Sequence, residues 1–133
     1  MIIGIGSDIV DIARIEAVLK KFPQRFLKRV FTQSEQETAH ASLKASASYA
    51  KRFAAKEAFV KAIGTGFRHG ISWQDIEVIN LKGGQPSLNL KGAAQRYLDN
   101  LTPQSMLAHI HLSIADSSTL AHAMVVISVT PGC

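Results

Sequence analysis

A chain of 133 residues is long enough for one hydrophobic core and short for two, so a single domain spanning residues 1–133 is expected. Hydrophobic residues make up 47% and charged residues 19%, which excludes a disordered chain, and no apolar run approaches the roughly 18 residues that would span a bilayer. The net charge of +5 is concentrated: Arg14, Lys20, Lys21, Arg25, Lys28 and Arg29 face only Glu16 in that stretch, while the remaining charges cancel.

The lone cysteine, Cys133, excludes an intrachain disulfide, and a reducing cytoplasm is the expected compartment. Neither a CxxC nor an HExxH spacing supports a zinc site. The opening Met1-Ile2-Ile3-Gly4 lacks a basic region ahead of its apolar residues and reads as a mature strand rather than a signal peptide. The basic stretch has two readings, a solvated helix face or a surface for an acidic or phosphorylated partner.

In chain order, Ile2 to Ile12 reads as a buried strand. Gly4 and Gly6 lie on one side of it, which suggests a close approach by another group. Ile12, Ile15, Leu19 and Phe22 follow helical spacing, and Pro23 is expected to break that helix. Thr32-x-x-Glu35 and Ser34-x-x-Glu37 are alternative capping boxes for a short polar helix ending near Ser42. Residues 44–48 read as a linker into a longer helix from Ser48 to Ile63, closed by Gly64-Thr65-Gly66. A strand at Ile76–Leu81, a turn at Gly83-Gly84 and a strand at Ser87–Leu90 come next, then a helix over Lys91–Leu101. Ala108–Ile114 and Leu120–Val129 alternate around Asp116-Ser117-Ser118 as a β-hairpin. The expected fold class is therefore α+β, with a small antiparallel sheet packed on helices.

Four features depart from simple patterning. The helix at 48–63 carries Lys56 within the bulky stripe of Tyr49, Phe53, Val60 and Ile63, with Glu57 at its edge and alanine over most of the rest. Charges on so enclosed a helix need partners or a metal, unless Lys56 snorkels and Glu57 forms a rim salt bridge. Asp8 sits mid-strand on the glycine side. With Glu57 it makes an oxygen-donor pair suited to magnesium, or else it caps the following helix. Lys61 lies one turn beyond Glu57, and the glycines after it could bring backbone amides near a phosphate. His109, His111 and Ser113 share one face of a strand, as structural or catalytic residues.

Taken together, Gly4-Ile-Gly-Ser-Asp8-Ile-Val-Asp-Ile-Ala-Arg14, Arg52-Phe-Ala-Ala-Lys-Glu57-Ala-Phe-Val-Lys61-Ala-Ile-Gly-Thr-Gly66, Ser72-Trp-Gln-Asp-Ile-Glu77, Gly84-Gln-Pro86 and His111-Leu-Ser-Ile resemble the holo-acyl-carrier-protein synthase family of phosphopantetheinyl transferases. The resemblance runs to about Ile127. It implies transfer of 4′-phosphopantetheine from coenzyme A to a serine of acyl carrier protein, in fatty acid biosynthesis.

By resemblance, Asp8 and Glu57 hold magnesium on the pyrophosphate, and Lys61 neutralises phosphate charge. Arg52, Gly64, Thr65, Gly66 and Pro86 contact the nucleotide, and His111 lies beside the pyrophosphate. The general base is Glu57 or a water on the metal, with His111 the second choice. Arg14, Lys21, Arg25 and Arg29 become the docking face for the carrier, in a homotrimer with active sites between chains. Two positions depart from the family: Ala115-Asp116 replaces a pattern ending in histidine, and Val60 stands where many members have serine. The rival readings are a nucleic-acid-binding module, disfavoured by Asp8 and Glu57, and another magnesium-dependent phosphotransferase, which leaves the basic patch unexplained. Neither nucleic acid nor a membrane is an expected partner.

Overall fold

In the computed structural model, which describes residues 1–132, five strands and five helices pack around one hydrophobic core. Cys133 lies outside the described residues. The chain runs β1 (Ile2–Asp11), α1 (Ile12–Lys21), α2 (Pro23–Val30), α3 (Gln33–His40) and α4 (Ala45–Ala62), then a single 3₁₀ turn at Trp73–Asp75. It continues with β2 (Ile76–Asn80), β3 (Pro86–Leu90), α5 (Gly92–Leu101), β4 (Met106–Asp116) and β5 (Leu120–Pro131). β1, β5 and β4 form an antiparallel sheet in that order, and β2 pairs with β3 in a separate antiparallel hairpin. The α+β class expected from the sequence is the one observed. Among the described residues, no helix is long and apolar enough to cross a membrane.

α4 lies across one face of the three-stranded sheet, and β1 is shaped to receive it. Gly4 and Gly6 point at the helix. A Cβ on Gly6 would meet the carbonyl of Ala58 and come within 2.6 Å of the Ala62 nitrogen, and one on Gly4 would meet the Ala62 carbonyl. The close approach implied by those glycines is thus that of α4's own backbone. Ala50, Ala54, Ala55 and Ala58 are all fully buried, small side chains that let neighbouring elements approach the helix closely beside its buried Phe59 and Val60.

Pro23 ends α1 as expected, and it also takes the first position of α2, where the missing N–H costs nothing and the fixed φ already suits a helix. One local expectation is corrected. Residues 44–48 are not a linker, because Ala45 to Ser48 form the first turn of α4. Ala47 and Ser48 are buried there, so packing overrides the weak propensity of a serine-rich stretch.

Of the two candidate capping boxes, the one at Thr32 forms. Glu35 N–H donates to Thr32 Oγ1 and Thr32 N–H to Glu35 Oε1. Glu35 also accepts from Lys56 Nζ at 2.7 Å and, through its other oxygen, from Val78 N–H at 2.8 Å. Lys56 Nζ completes its set with the carbonyls of Val30 at 2.6 Å and Trp73 at 3.1 Å. Both side chains are fully buried, so Lys56 neither snorkels nor serves chemistry. Desolvation drives its pKa below that of a free lysine, with Glu35 opposing the shift.

Removing one member of such a pair leaves a bare buried charge. Lys56→Ala is expected to cost about 3–5 kcal/mol in denaturant unfolding. The combined Glu35→Leu, Lys56→Met replacement should cost less than the two single changes added together.

Candidate active site

Asp8 and Glu57 are brought together where β1 passes under α4. In β1, Gly4, Gly6, Asp8 and Val10 alternate toward the helix, while Ile5, Ser7 and Ile9 face outward. Asp8 does not cap α1, whose N-cap is Asp11 with no side-chain hydrogen bond. It accepts instead from Lys61 Nζ at 2.9 Å, and that ammonium also donates to the Ser7 carbonyl at 3.1 Å. Lys61 lies one helical turn beyond Glu57, so both side chains reach the same end of β1.

The electrostatics of Glu57 describe the site. Its pKa is raised above the usual carboxylate range, first by burial and then by the negative charge of Asp8, with Lys61 and Arg14 opposing. A carboxylate whose ionisation is disfavoured by a second one beside it, with oxygen donors only, fits a hard divalent cation, and such an ion needs only one or two of them. Among the described residues, no group of three His, Cys, Asp or Glu could hold a metal. Arg14, expected on the docking face, is also close enough to bias Glu57. It stands where the basic surface meets the carboxylates.

The other expected residues lie elsewhere. Arg52 and Pro86 line a cleft of about 350 Å3 together with Thr38, Ser42, Ser48, Lys51, Val78, Asn80 and Ile114. Arg52 is only 8% exposed. Its Nη1 donates to the carbonyl and hydroxyl of Ser48, and its Nε has no hydrogen-bond partner. Desolvation lowers its pKa, with Glu35 and then Tyr49 opposing. A guanidinium that lines a cleft and is not fully hydrogen-bonded suits an anion. Sequence reasoning gave no role to Ser48, Thr38, Ser42 or Asn80. Only the four-residue spacing from Ser48 to Arg52 on one helix face could have signalled the first of them.

The Gly64–Gly66 segment corrects an expectation. Its amides do not reach outward: Gly64 N–H donates to the Lys61 carbonyl, and Thr65 and Gly66 N–H both donate to that of Val60. Gly64 and Gly66 have φ of +79° and +61°, the left-handed backbone that lets the chain fold back and close the end of α4. Any contact with a nucleotide must come from other atoms of the segment.

His111 is separated from the carboxylates by the sheet itself. It pairs with Val126, which pairs with Ile5, so all three share the outward face. Asp8, Ala123 and Ile114 share the inward one. His111 accepts or donates a hydrogen bond with Ser128 Oγ at 3.0 Å. A cavity of about 650 Å3 between β3, α5 and β4 includes His111 but none of the other expected residues. The outward sheet face also carries Ile5 and Ile9, more than half exposed, beside Met124 and Leu107.

A model of the 4′-phosphopantetheinyl transferase superfamily matches residues 4–116. The chain belongs to this superfamily. It is 53% identical over 131 residues to the holo-[acyl-carrier-protein] synthase of Phenylobacterium zucineum, a match covering 98% of this chain and 95% of that one. The crystal structure of the holo-[acyl-carrier-protein] synthase from Neisseria meningitidis superposes with a TM-score of 0.84 at 38% identity, over 96% of this chain and 99% of that one. The Helicobacter pylori enzyme, solved in complex with coenzyme A, gives 0.78 at 33% identity, over 93% and 99%.

In a phosphopantetheinyl transferase of this kind the carboxylate pair has a stability cost. A carboxyl whose folded pKa is raised binds more protons folded than unfolded, so stability falls as pH rises from the ordinary carboxylate range through the raised value. Glu57→Gln, melted in the presence of a chelator, should therefore unfold at a higher temperature than wild type at pH 7. The advantage should shrink toward pH 4.

Proposed function

We propose that this chain transfers the 4′-phosphopantetheine of coenzyme A to a serine of apo-acyl carrier protein, releasing adenosine 3′,5′-bisphosphate, with magnesium held by Asp8 and Glu57. The observation that carries the site assignment is the convergence of Asp8, Glu57 and Lys61 at one end of β1. The setting is fatty acid biosynthesis in the cytoplasm.

A bond forms between the serine oxygen and the β-phosphorus. The bond from that phosphorus to the oxygen bridging to the bisphosphate breaks, and the serine proton passes to a base. The reaction asks for positioning and for neutralisation of charge on the transferring group, with little covalent work by the protein. The cation, when bound, supplies polarisation of the phosphate oxygens. Lys61 contributes a second positive charge beside Asp8. Glu57, or a water beside it, accepts the serine proton.

Arg52 and Pro86, with the Gly64–Gly66 segment, receive the nucleotide. The cleft around Arg52 and the face carrying His111 lie apart from the carboxylates in one chain, which suits a homotrimer whose sites are built between copies. The exposed outward face of the sheet, with Ile5, Ile9, Leu107 and Met124, supplies apolar surface for that contact. Light scattering at micromolar concentration should give three times the chain mass, and a monomer would refute the shared site.

The basic helices form the carrier-docking face. Arg14, Lys21, Arg25 and Arg29 are exposed on α1 and α2. Phe22, between those helices, lies beneath Lys21 Nζ and the Arg25 guanidinium, 5.4 and 5.9 Å from its ring centre. An aromatic ring flanked by cations suits an acidic surface with an apolar spot.

Incubating the chain with coenzyme A, magnesium and apo-acyl carrier protein should add a 4′-phosphopantetheine mass to the carrier. Asp8→Ala and Glu57→Ala should each abolish the transfer. Arg25→Glu should raise the KM for the carrier several-fold and leave that for coenzyme A nearly unmoved. An unmodified carrier with wild-type protein would overturn the reading.

A further inference from the structure

The cleft around Arg52 contains a second cation whose charge is only partly available. Lys51 lines the cleft beside Arg52, and its Nζ lies 3.5 Å from Asp116 Oδ1 at the end of β4. Both side chains are about one-third exposed, so the pair is reachable by solvent and by a ligand. Asp116 is one of the two positions where the chain departs from the pattern it otherwise follows. The same cleft is lined by Arg52, whose buried Nε has no hydrogen-bond partner, and by the hydroxyl-bearing Thr38, Ser42 and Ser48. It opens beside the first turns of α4, a helix of 18 residues with no acidic residue in its first turn and no side-chain cap, so that end is itself favourable to an anion.

We infer that Lys51 is a phosphate-binding cation of this cleft and that Asp116, by pairing with it, sets how strongly the cleft holds a phosphate monoester. Asp116 has two opposed effects. It draws the long, flexible lysine to one side of the cleft, and it cancels part of the positive field that Lys51 and Arg52 would otherwise present. A dianionic phosphate arriving at Arg52 competes with Asp116 for the same ammonium. The ion pair thereby moderates affinity, so that a nucleotide product carrying the same phosphate can leave. The phosphate in question is the 3′-phosphate that coenzyme A and adenosine 3′,5′-bisphosphate share, since the pyrophosphate belongs with Asp8, Glu57 and Lys61. The inference rests on the proposed activity, and its test separates the two.

The experiment compares coenzyme A with dephospho-coenzyme A, which lacks only that phosphate, as substrates for the trimeric enzyme with magnesium and apo-carrier. Asp116→Asn should lower the KM for coenzyme A by about two- to fivefold, and Lys51→Gln should raise it by a similar factor, as expected for single charges at a partly exposed pair. Neither should move the KM for dephospho-coenzyme A. The double variant should return near wild type, because it removes a balanced pair. If the pair only ties α4 to β4, both single variants will lower the melting temperature and leave the ratio of the two constants unchanged, which overturns the inference.

Arg52→Gln is the control. If it too leaves the ratio unchanged while transfer proceeds, the cleft is not a phosphate site and the inference falls with it. If wild type transfers nothing from coenzyme A, the activity itself is wrong.

Discussion

The buried ion pair between Lys56 and Glu35 is the constraint from which the rest of the molecule is hung. Five elements converge on it: α2 through the Val30 carbonyl, α3 through Glu35, α4 through Lys56, the 3₁₀ turn through Trp73 and β2 through Val78. A well-packed apolar group could fill the same space at no loss of stability. What the charged pair adds is direction. Each of its hydrogen bonds fixes one element's rotation as well as its distance. Glu57 follows Lys56 directly on α4, so the rotation that buries the lysine sets the side on which Glu57 emerges. Aromatic packing reinforces that setting: Trp73 is stacked between Phe67 and Phe53, and Phe53 lies on the same helix.

The second requirement is the approach of α4 to β1. Asp8 stands on a strand and Glu57 on a helix, and they become neighbours only because Gly4 and Gly6 let the helix backbone press onto the strand. The arrangement works against the folded state, since Glu57 is held where burial and the charge of Asp8 disfavour its ionisation. A pocket of disfavoured charge surrounded by a rigid, well-satisfied framework is what a site for a cation and phosphates requires. Stability here resides in the layer behind the site, and binding in the layer before it.

Charge is divided among three surfaces. α1 and α2 present an excess of cations, among which Lys20 pairs with Glu16. The α4 end of the Arg52 cleft presents cations moderated by Asp116, and the end of β1 presents acids moderated by Lys61. The three suit different partners by charge alone: an acidic protein surface, a phosphate monoester, and a cation with its pyrophosphate. Arg14 lies where the first and third surfaces adjoin, so a carrier bound to the basic helices would deliver its serine beside Glu57.

Local pattern determined a good deal. The strand and helix periods, the Thr32 capping box and the terminal hairpin depend on near neighbours in the chain, and they stand where the sequence places them. Asp8, Glu57 and Lys61 were also legible, because a charge among isoleucines or alanines is anomalous wherever the chain folds. Residues 44–48, expected as a linker, join α4 for the complementary reason. Whether a serine-alanine stretch joins a helix depends on what packs against it. The same holds for Lys56, as anomalous in sequence as Glu57 yet wholly structural, since its partner lies 21 residues away. The Gly64–Gly66 amides turn inward to the helix end, and His111 faces away from Asp8 by the parity of its register. The pairing of Lys51 with Asp116 joins residues 65 positions apart. Contacts that close so much chain are decided by the fold as a whole, and only the tertiary structure could assign them.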